Sequence, residues 1–305
     1  MRTRIVVGSR GSKLALIQAE SVIAEIRKVN PHAEVSLKKI STAGDRDRRT
    51  PLDRMEIAIF VKELEEALLD GRIDIAVHSL KDVPTEIPQG LCLLAVTERL
   101  DSRDALVAKS GLNDLAAGSK IGTSSLRRAI QLTQYRPDLK VCSIRGNVDT
   151  RLRKVSSGEA DGIIVAAAAM LRLGLEHKVT EYLPLEHFLP SVGQGALVIE
   201  ARSDDREVSD FISPINHVPT WQGVIAERAF LRALGGGCRA PIAALSTVNG
   251  ATLELNGMIA SPDGKGMLHA SGVGNNDSPE KVGVQLVQKL IDMGASEFIA
   301  EVRSK

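Results

Sequence analysis

Ile73-Asp74-Ile75-Ala76-Val77-His78-Ser79-Leu80-Lys81-Asp82 decides the fold. Its first five residues form a short, largely apolar run, the pattern of a strand buried on both faces, and residues 78–84 leave it as a polar turn. Just upstream, residues 60–70 have helical spacing, with Phe60, Leu64 and Leu68 on one face and Gly71 to end the helix. A helix feeding a buried strand is part of a βαβ unit, so a parallel sheet covered by helices is expected.

The pattern extends in both directions. Residues 5–7 read as a strand, Gly8-Ser9-Arg10-Gly11-Ser12 as a turn, and Ala15, Ala19, Val22, Ile26 and Val29 as a helical stripe stopped by Asn30-Pro31. Residues 35–40 read as a second strand and 42–51 as a charged loop. A similar rhythm restarts near residue 102: strands at 104–108 and 120–122, a helix at 126–135, a strand at 141–144, and a helix running through Lys154 to Gly158. A strand at 163–165 and an Ala-rich helix to Leu173 follow. From Trp221 the character changes to a helix at 224–234, the turn Gly235-Gly236-Gly237-Cys238, three alternating runs (242–248, 253–259, 267–273) and a helix at 279–293. The expectation is two α/β units of related design followed by a small α+β domain.

Composition agrees with this layout. The 305 residues are 43% hydrophobic and 25% charged, an ordinary globular balance, and too long for a single typical domain. Aromatics are 3%, so the cores rest on Ala, Val, Ile and Leu. A formal net charge of +1 provides no global field toward nucleic acid or membrane, so anion recognition has to come from local clusters. Cys92, Cys142 and Cys238 form neither an even set nor a CxxC pair, which argues against a disulfide framework and a zinc site. Neither a signal peptide nor a membrane-length apolar run is visible, so the expected address is cytoplasmic.

Four strand-to-helix turns carry chemistry: Gly8 to Ser12, His78 to Asp82, Gly122 to Arg128 and Arg145 to Arg151. Such turns place unpaired backbone N–H groups and the positive helix end at one edge of a sheet, where ligands of open α/β proteins bind. Arg10, Lys81, Arg127, Arg128, Arg145 and Arg151 at these edges suit a polyanion of carboxylate or phosphate type; the competing reading is ion pairs on the surface. Neither a P-loop nor a GxGxxG pattern is present. Asp82 beside Lys81 either serves a ligand cation and its N–H groups or pairs locally. Cys238 sits among glycines next to Arg239, either as a reactive thiol or as a small buried residue. Cys92, Cys142 and His78 read as structural residues.

Val77 to Pro84, Gly122 to Arg128, Ile144-Arg145-Gly146-Asn147 with Thr150-Arg151-Leu152, Leu189 to Ala196, and Gly236-Gly237-Cys238 together resemble the porphobilinogen deaminase (hydroxymethylbilane synthase) family. The resemblance spans nearly the whole chain. It implies two type II periplasmic-binding-protein-like lobes, 1–98 with 196–217 and 99–195, flanking the active cleft, and a C-terminal domain, 218–305. It implies a dipyrromethane cofactor on Cys238 through a thioether, and Asp82 as the catalytic carboxylate. Arg10, Ser12, Lys81, Thr123, Ser125, Arg127, Arg128, Arg145, Arg151 and Arg172 would hold acetate and propionate groups. Gln18 and Gln194 would line the cleft, Phe60 would stack near the incoming ring, and Ser79, Gly146 and Asn147 complete the binding set. The implied reaction is a transfer in porphyrin and haem synthesis. Porphobilinogen loses ammonia, the growing pyrrole chain attacks the resulting electrophile, and after four rounds water releases hydroxymethylbilane. The implied protein is a monomer with this small molecule, not nucleic acid or membrane, as its partner.

The sequence departs from the family pattern in two places. A Gly-Gly-Lys-Gly stretch is common before the Phe-Val-Lys-Glu helix, whereas residues 54–59 here read Arg54-Met55-Glu56-Ile57-Ala58-Ile59. A stiffer, more apolar lid without its lysine is expected. The cysteine turn continues Arg239-Ala240 where Gln-Val is common. The alternative reading of the chain is a two-lobed binding protein that closes on a carboxylated ligand without chemistry. A weaker reading, nucleic-acid binding through Arg46, Arg48 and Arg49, lacks stacking aromatics.

Overall fold

The computed structural model describes residues 4–46, 60–237 and 240–303. Residues 54–59, expected to form a lid, Cys238, expected to carry the cofactor, and Arg48 and Arg49 lie outside the described residues. The chain divides into two compact units, Met1–Leu100 with Ala196–Trp221, and Asp101–Gly195 with Gln222–Lys305.

The first unit is built from β1 (Arg4–Arg10), α1 (Lys13–Val29), β2 (Glu34–Ile40), α2 (Ala43–Arg46), α3 (Lys62–Leu69), β3 (Ile75–Ser79) and β4 (Leu91–Val96). The chain returns to this unit much later. Within the second unit come β5 (Asp104–Ala108), β6 (Lys120–Gly122), α4 (Leu126–Tyr135), β7 (Lys140–Cys142), α5 (Val148–Ser156), β8 (Gly162–Ala166), α6 (Ala167–Arg172) and β9 (Glu181–Tyr182). Next, β10 (Leu197–Arg202) and α7 (Arg206–Ile212) complete the first unit, and α8 (Val218–Ala233) spans the boundary. Last come β11 (Ile242–Asn249), β12 (Thr252–Ala260), β13 (Met267–Asn275), α9 (Pro279–Asp292) and α10 (Ser296–Arg303).

Each α/β sheet has five strands, ordered β2-β1-β3-β10-β4 and β7-β6-β8-β5-β9. The expectation of purely parallel sheets is corrected: β10 runs antiparallel to β3 and β4, and β5 runs antiparallel to β8 and β9. In the first sheet the period of two sorts side chains cleanly. Ile5, Val7, Ile75, Val77, Leu197, Ile199 and Ala201 share one core with α1, while Val6 and Ala76 pack with Leu64 and Leu68 of α3 on the other face. Leu64 and Leu68 are fully buried, each adding about 1.5–3 kcal/mol of transfer free energy. The second sheet is built likewise, with Leu106, Ile121 and Ile164 packed with Leu132 of α4, and Ala105, Ile163 and Val165 packed toward α5 and α6.

The same pairing shifts two expected boundaries. Strand β1 continues through Arg10 because Ser9 and Arg10 pair with Lys39 and Ile40 of β2. Strand β3 starts at Ile75 because the Asp74 carboxylate accepts from the Val6 amide, 2.7 Å. It keeps His78 and Ser79 because β10 pairs with them. The remaining sheet is the antiparallel meander β11-β12-β13, with Phe230 of α8 and Leu286 of α9 in its core. Gly257 of β12 gives the Phe230 ring its place, since a Cβ there would lie 2.7 Å from the ring.

Candidate active site

In the first unit, the C-terminal ends of β1 and β3 carry the expected residues. Ser12 caps α1, its Oγ accepting from the Ala15 amide at 3.3 Å, so its hydroxyl proton remains a donor. The Arg10 guanidinium lies 4.2 Å over the Phe60 ring, a cation–π contact. Buried Gln18 of α1 donates from Nε2 to Ser79 Oγ at 2.8 Å, fixing the start of the turn. A single 3₁₀ turn, Leu80–Asp82, follows, tied by the Leu80 amide to the Ala196 carbonyl. Lys81 is half-buried and Asp82 is exposed on this turn.

In the second unit the ends of β6, β7 and β8 gather the rest. Buried Thr123 accepts from the Ser125 amide, Ser125 caps α4, and Asn147 caps α5 by accepting from the Thr150 amide at 3.0 Å. Gly146 is required at its position: φ is +114°, and a Cβ would lie 2.6 Å from Thr150. Arg145 is half-buried. Arg151 donates to the Gly146 carbonyl, and Arg172 donates to the Gly195 carbonyl at 2.8 Å. Burial pushes the Arg172 guanidinium down to about 10.

Arg127 and Arg128 are almost wholly enclosed, at 2% and 6% exposure. Both bind one carboxylate, Asp104 at the start of β5: Arg127 Nη1 to Oδ2 at 2.9 Å and Arg128 Nη2 to Oδ1 at 2.7 Å. Burial alone would raise the Asp104 carboxyl, but the two guanidiniums hold it well below the ordinary carboxylate range. Gln194, also buried, donates to Asp104 Oδ1 at 2.8 Å and to the Ser102 carbonyl. Arg127 further reaches Ser191 Oγ and the Leu189 carbonyl; Arg128 reaches the Ile164 carbonyl. Two cations sharing one anion leave an excess positive charge. Arg127 Nη2 and Arg128 Nε are buried with no acceptor among the described residues.

Sequence reading passed over several residues that shape these edges. Asp104 organises both arginines. Glu227 of α8 accepts from the Gly193 amide at 2.7 Å and from Ser246, which anchors the loop before Gln194. His78 was read as hydrogen-bonded and structural; its Nε2 meets buried Glu200 of β10 at 3.0 Å. For Glu200 the available signal is a lone acid inside an apolar run, Leu197-Val198-Ile199-Glu200-Ala201; Asp104 and Glu227 only border apolar runs. Cys92 and Cys142 are half-buried free thiols, both raised by burial.

These features define a class: an α/β protein with two five-stranded mixed sheets whose edges carry cations, and a small C-terminal α+β part. A family model described as "Porphobilinogen deaminase, dipyromethane cofactor binding domain" matches residues 5–210, and "Porphobilinogen deaminase, C-terminal domain" matches residues 221–292. The chain belongs to the porphobilinogen deaminase family, transferases of tetrapyrrole synthesis. Porphobilinogen deaminase of Desulforudis audaxviator is 46% identical over 100% of this chain and 99% of its own length. That of Geotalea uraniireducens is 49% identical over 97% and 94%. Among solved structures, the periplasmic aliphatic sulphonate binding protein SsuA from Escherichia coli superposes with a TM-score of 0.40 at 14% identity, covering 76% of this chain and 71% of that chain. No helix among the described residues is long and apolar enough to cross a membrane.

Proposed function

We propose that the chain is a hydroxymethylbilane synthase that condenses four porphobilinogen molecules stepwise onto a dipyrromethane held through Cys238 and releases hydroxymethylbilane by hydrolysis. The observation that carries this reading is the charge imbalance around Asp104. Two buried guanidiniums, each with one nitrogen unpartnered among the described residues, suit a carboxylate-rich group, and every pyrrole unit of this chemistry brings two carboxylates. The donor set fits the cofactor. Arg127, Arg128, Arg145, Arg151 and Arg172 supply cations, and Thr123, Ser125 and the Asn147 turn supply uncharged donors at the same sheet edge. When bound, the dipyrromethane supplies the tether and the free pyrrole carbon on which the product grows.

The chain's own residues divide the remaining work. Arg10, Ser12 and Lys81 present positive charge and a hydroxyl proton to the substrate's acidic arms, and Phe60, held against Arg10, offers a ring face. Asp82, on a turn tied at Ser79 and Leu80, accepts from pyrrole N–H groups and opposes the positive charge that develops as ammonia leaves. A fixed carboxylate there lowers the transition state more than the ground state. The same reading includes the division into lobes 1–98 with 196–217 and 99–195 plus a domain 218–305, a monomeric state and a cytoplasmic address. The family-model matches to 5–210 and 221–292 support the separate C-terminal part. A non-catalytic two-lobed receptor has no use for the C-terminal domain's cysteine.

Asp82→Ala should lose roughly a hundredfold or more in porphobilinogen turnover, the scale of a lost acid–base and electrostatic group, while Cys238 keeps its cofactor by mass. Near-parental turnover would remove Asp82 from the mechanism.

A further inference from the structure

One turn beyond Arg127, helix α4 buries an uncharged polar side chain, Gln131, which is 1% exposed. Its Oε1 accepts from the Leu189 amide at 2.8 Å, and its Nε2 donates to the Leu189 carbonyl at 3.1 Å. A backbone amide can only donate and a carbonyl can only accept, so this two-point grip fixes which way the Gln131 amide faces. The Arg127 guanidinium uses the same stretch of backbone. Its Nη1 donates to that same Leu189 carbonyl, and its Nε donates to Ser191 Oγ at 3.2 Å. The C-terminal elements hold the following residues, since Ala244 of β11 donates to the Pro190 carbonyl and Gly193 donates to Glu227 of α8.

We propose that Gln131 is a positioning residue for Arg127, and that its being an amide rather than an acid preserves the positive charge offered to the ligand's carboxylates. This rests on the functional reading of Arg127 and Arg128 given above. The positioning follows from the shared partner. Helix α4 carries the guanidinium and, one turn on, the side chain that grips the backbone to which the guanidinium is bonded. The charge argument follows from comparing Gln131 with a glutamate of the same shape. A carboxylate at this position would still accept from the Leu189 amide, and the Leu189 carbonyl would keep Arg127 as its donor, so the backbone is satisfied either way. What changes is the neighbour of the guanidinium. Gln131 Nε2 and Arg127 Nη1 converge on one oxygen, so the second oxygen of an acid would lie beside Arg127, whose Nη2 is buried without an acceptor among the described residues. Together with Asp104 it would set two anions against Arg127 and Arg128 and leave no surplus for a ligand carboxylate. The neutral amide anchors the segment without spending that charge.

The experiment compares the parent chain with Gln131→Met and Gln131→Glu by hydrogen exchange of residues 189–195, by urea midpoint and by kcat/KM for porphobilinogen. Gln131→Met keeps the length of the side chain and removes both hydrogen bonds. Its Leu189 amide should exchange about tenfold faster than the parent's, and kcat/KM should fall roughly tenfold as the acceptors of Arg127 lose their anchor. Gln131→Glu should leave the Leu189 amide protected and the urea midpoint at or above the parent's, because a buried carboxylate is tolerated where it meets a guanidinium. Its kcat/KM should nevertheless fall roughly ten- to a hundredfold, the scale of one charge-assisted hydrogen bond lost to the ligand. A residue that only filled space would give parental turnover wherever the segment stays protected. Parental turnover in Gln131→Glu, or parental protection of Leu189 in Gln131→Met, would overturn the proposal. A lowered urea midpoint in Gln131→Glu would overturn it too, since that marks a buried acid with no cation in reach. Exchange and denaturation need no substrate. If the parent fails to turn over porphobilinogen, the functional reading fails, and these two measurements still decide the grip and the charge by themselves.

Discussion

The two five-stranded sheets share a strand order, and each buries one carboxylate on its antiparallel strand, yet they neutralise it differently. In the first, Glu200 of β10 faces His78; in the second, Asp104 of β5 faces Arg127 and Arg128. An imidazole can shed its proton when its partner is lost, whereas a guanidinium cannot. The first arrangement is therefore adjustable and the second is fixed. The fixed one carries surplus positive charge beside the proposed carboxylate-binding turns, and the adjustable one stands behind the turn that bears Asp82. The comparison teaches that one sheet design can neutralise a buried carboxylate with one imidazole or with two guanidiniums, and that only the second leaves surplus positive charge.

The largest break in this comparison should come from Asp104→Asn. It leaves two buried guanidiniums without an anion and should cost about 3–5 kcal/mol in urea denaturation, enough to threaten the second unit. Glu200→Gln should cost less, about 1–3 kcal/mol, because it weakens a single buried hydrogen bond to His78. Equal losses would erase the distinction between fixed and adjustable pairs.

The pH dependence sharpens it further, since the two sheets should respond with opposite sign. Asp104 is depressed in the folded chain, so its contribution is present above the ordinary aspartate value of 3.8 and is lost as pH falls below it. Glu65, buried on α3 against the first sheet, is raised chiefly by that burial, so its contribution is present below 4.5 and is lost as pH rises through about 7. Hydrogen exchange of β5 and β8 should loosen in acid, and that of α3 toward neutrality. The same direction in both sheets would contradict this assignment.

Much of this was legible in the sequence, for local reasons. The stripes of α1 and α3, the strand at Asp104–Ala108 and the meander β11-β12-β13 were set by periodicity and turn residues close to them in the chain. Caps such as Ser12, Ser125 and Asn147 also stood at readable positions before helical runs. What was not legible depended on distant pairing. Strand β10 enters the first sheet more than a hundred residues after β3, and nothing in Leu197–Arg202 states which strand it joins. Its arrival made the sheet mixed, kept His78 within β3 and gave that histidine its partner. Asp104 was hidden for a related reason. Its role exists only when β5 lies beside β8 and α4 turns both arginines inward, so the same arginines that read as ligand-facing in sequence are in the structure anchored on a carboxylate.

The central claim is that these sheet edges serve a carboxylate-rich group tethered to Cys238. Intact-mass measurement of the purified chain beside Cys238→Ser tests it most directly. The account predicts a covalent dipyrrole addition on the parent that is absent from the variant. A parent chain at its bare sequence mass that nevertheless converts porphobilinogen at full rate would contradict it.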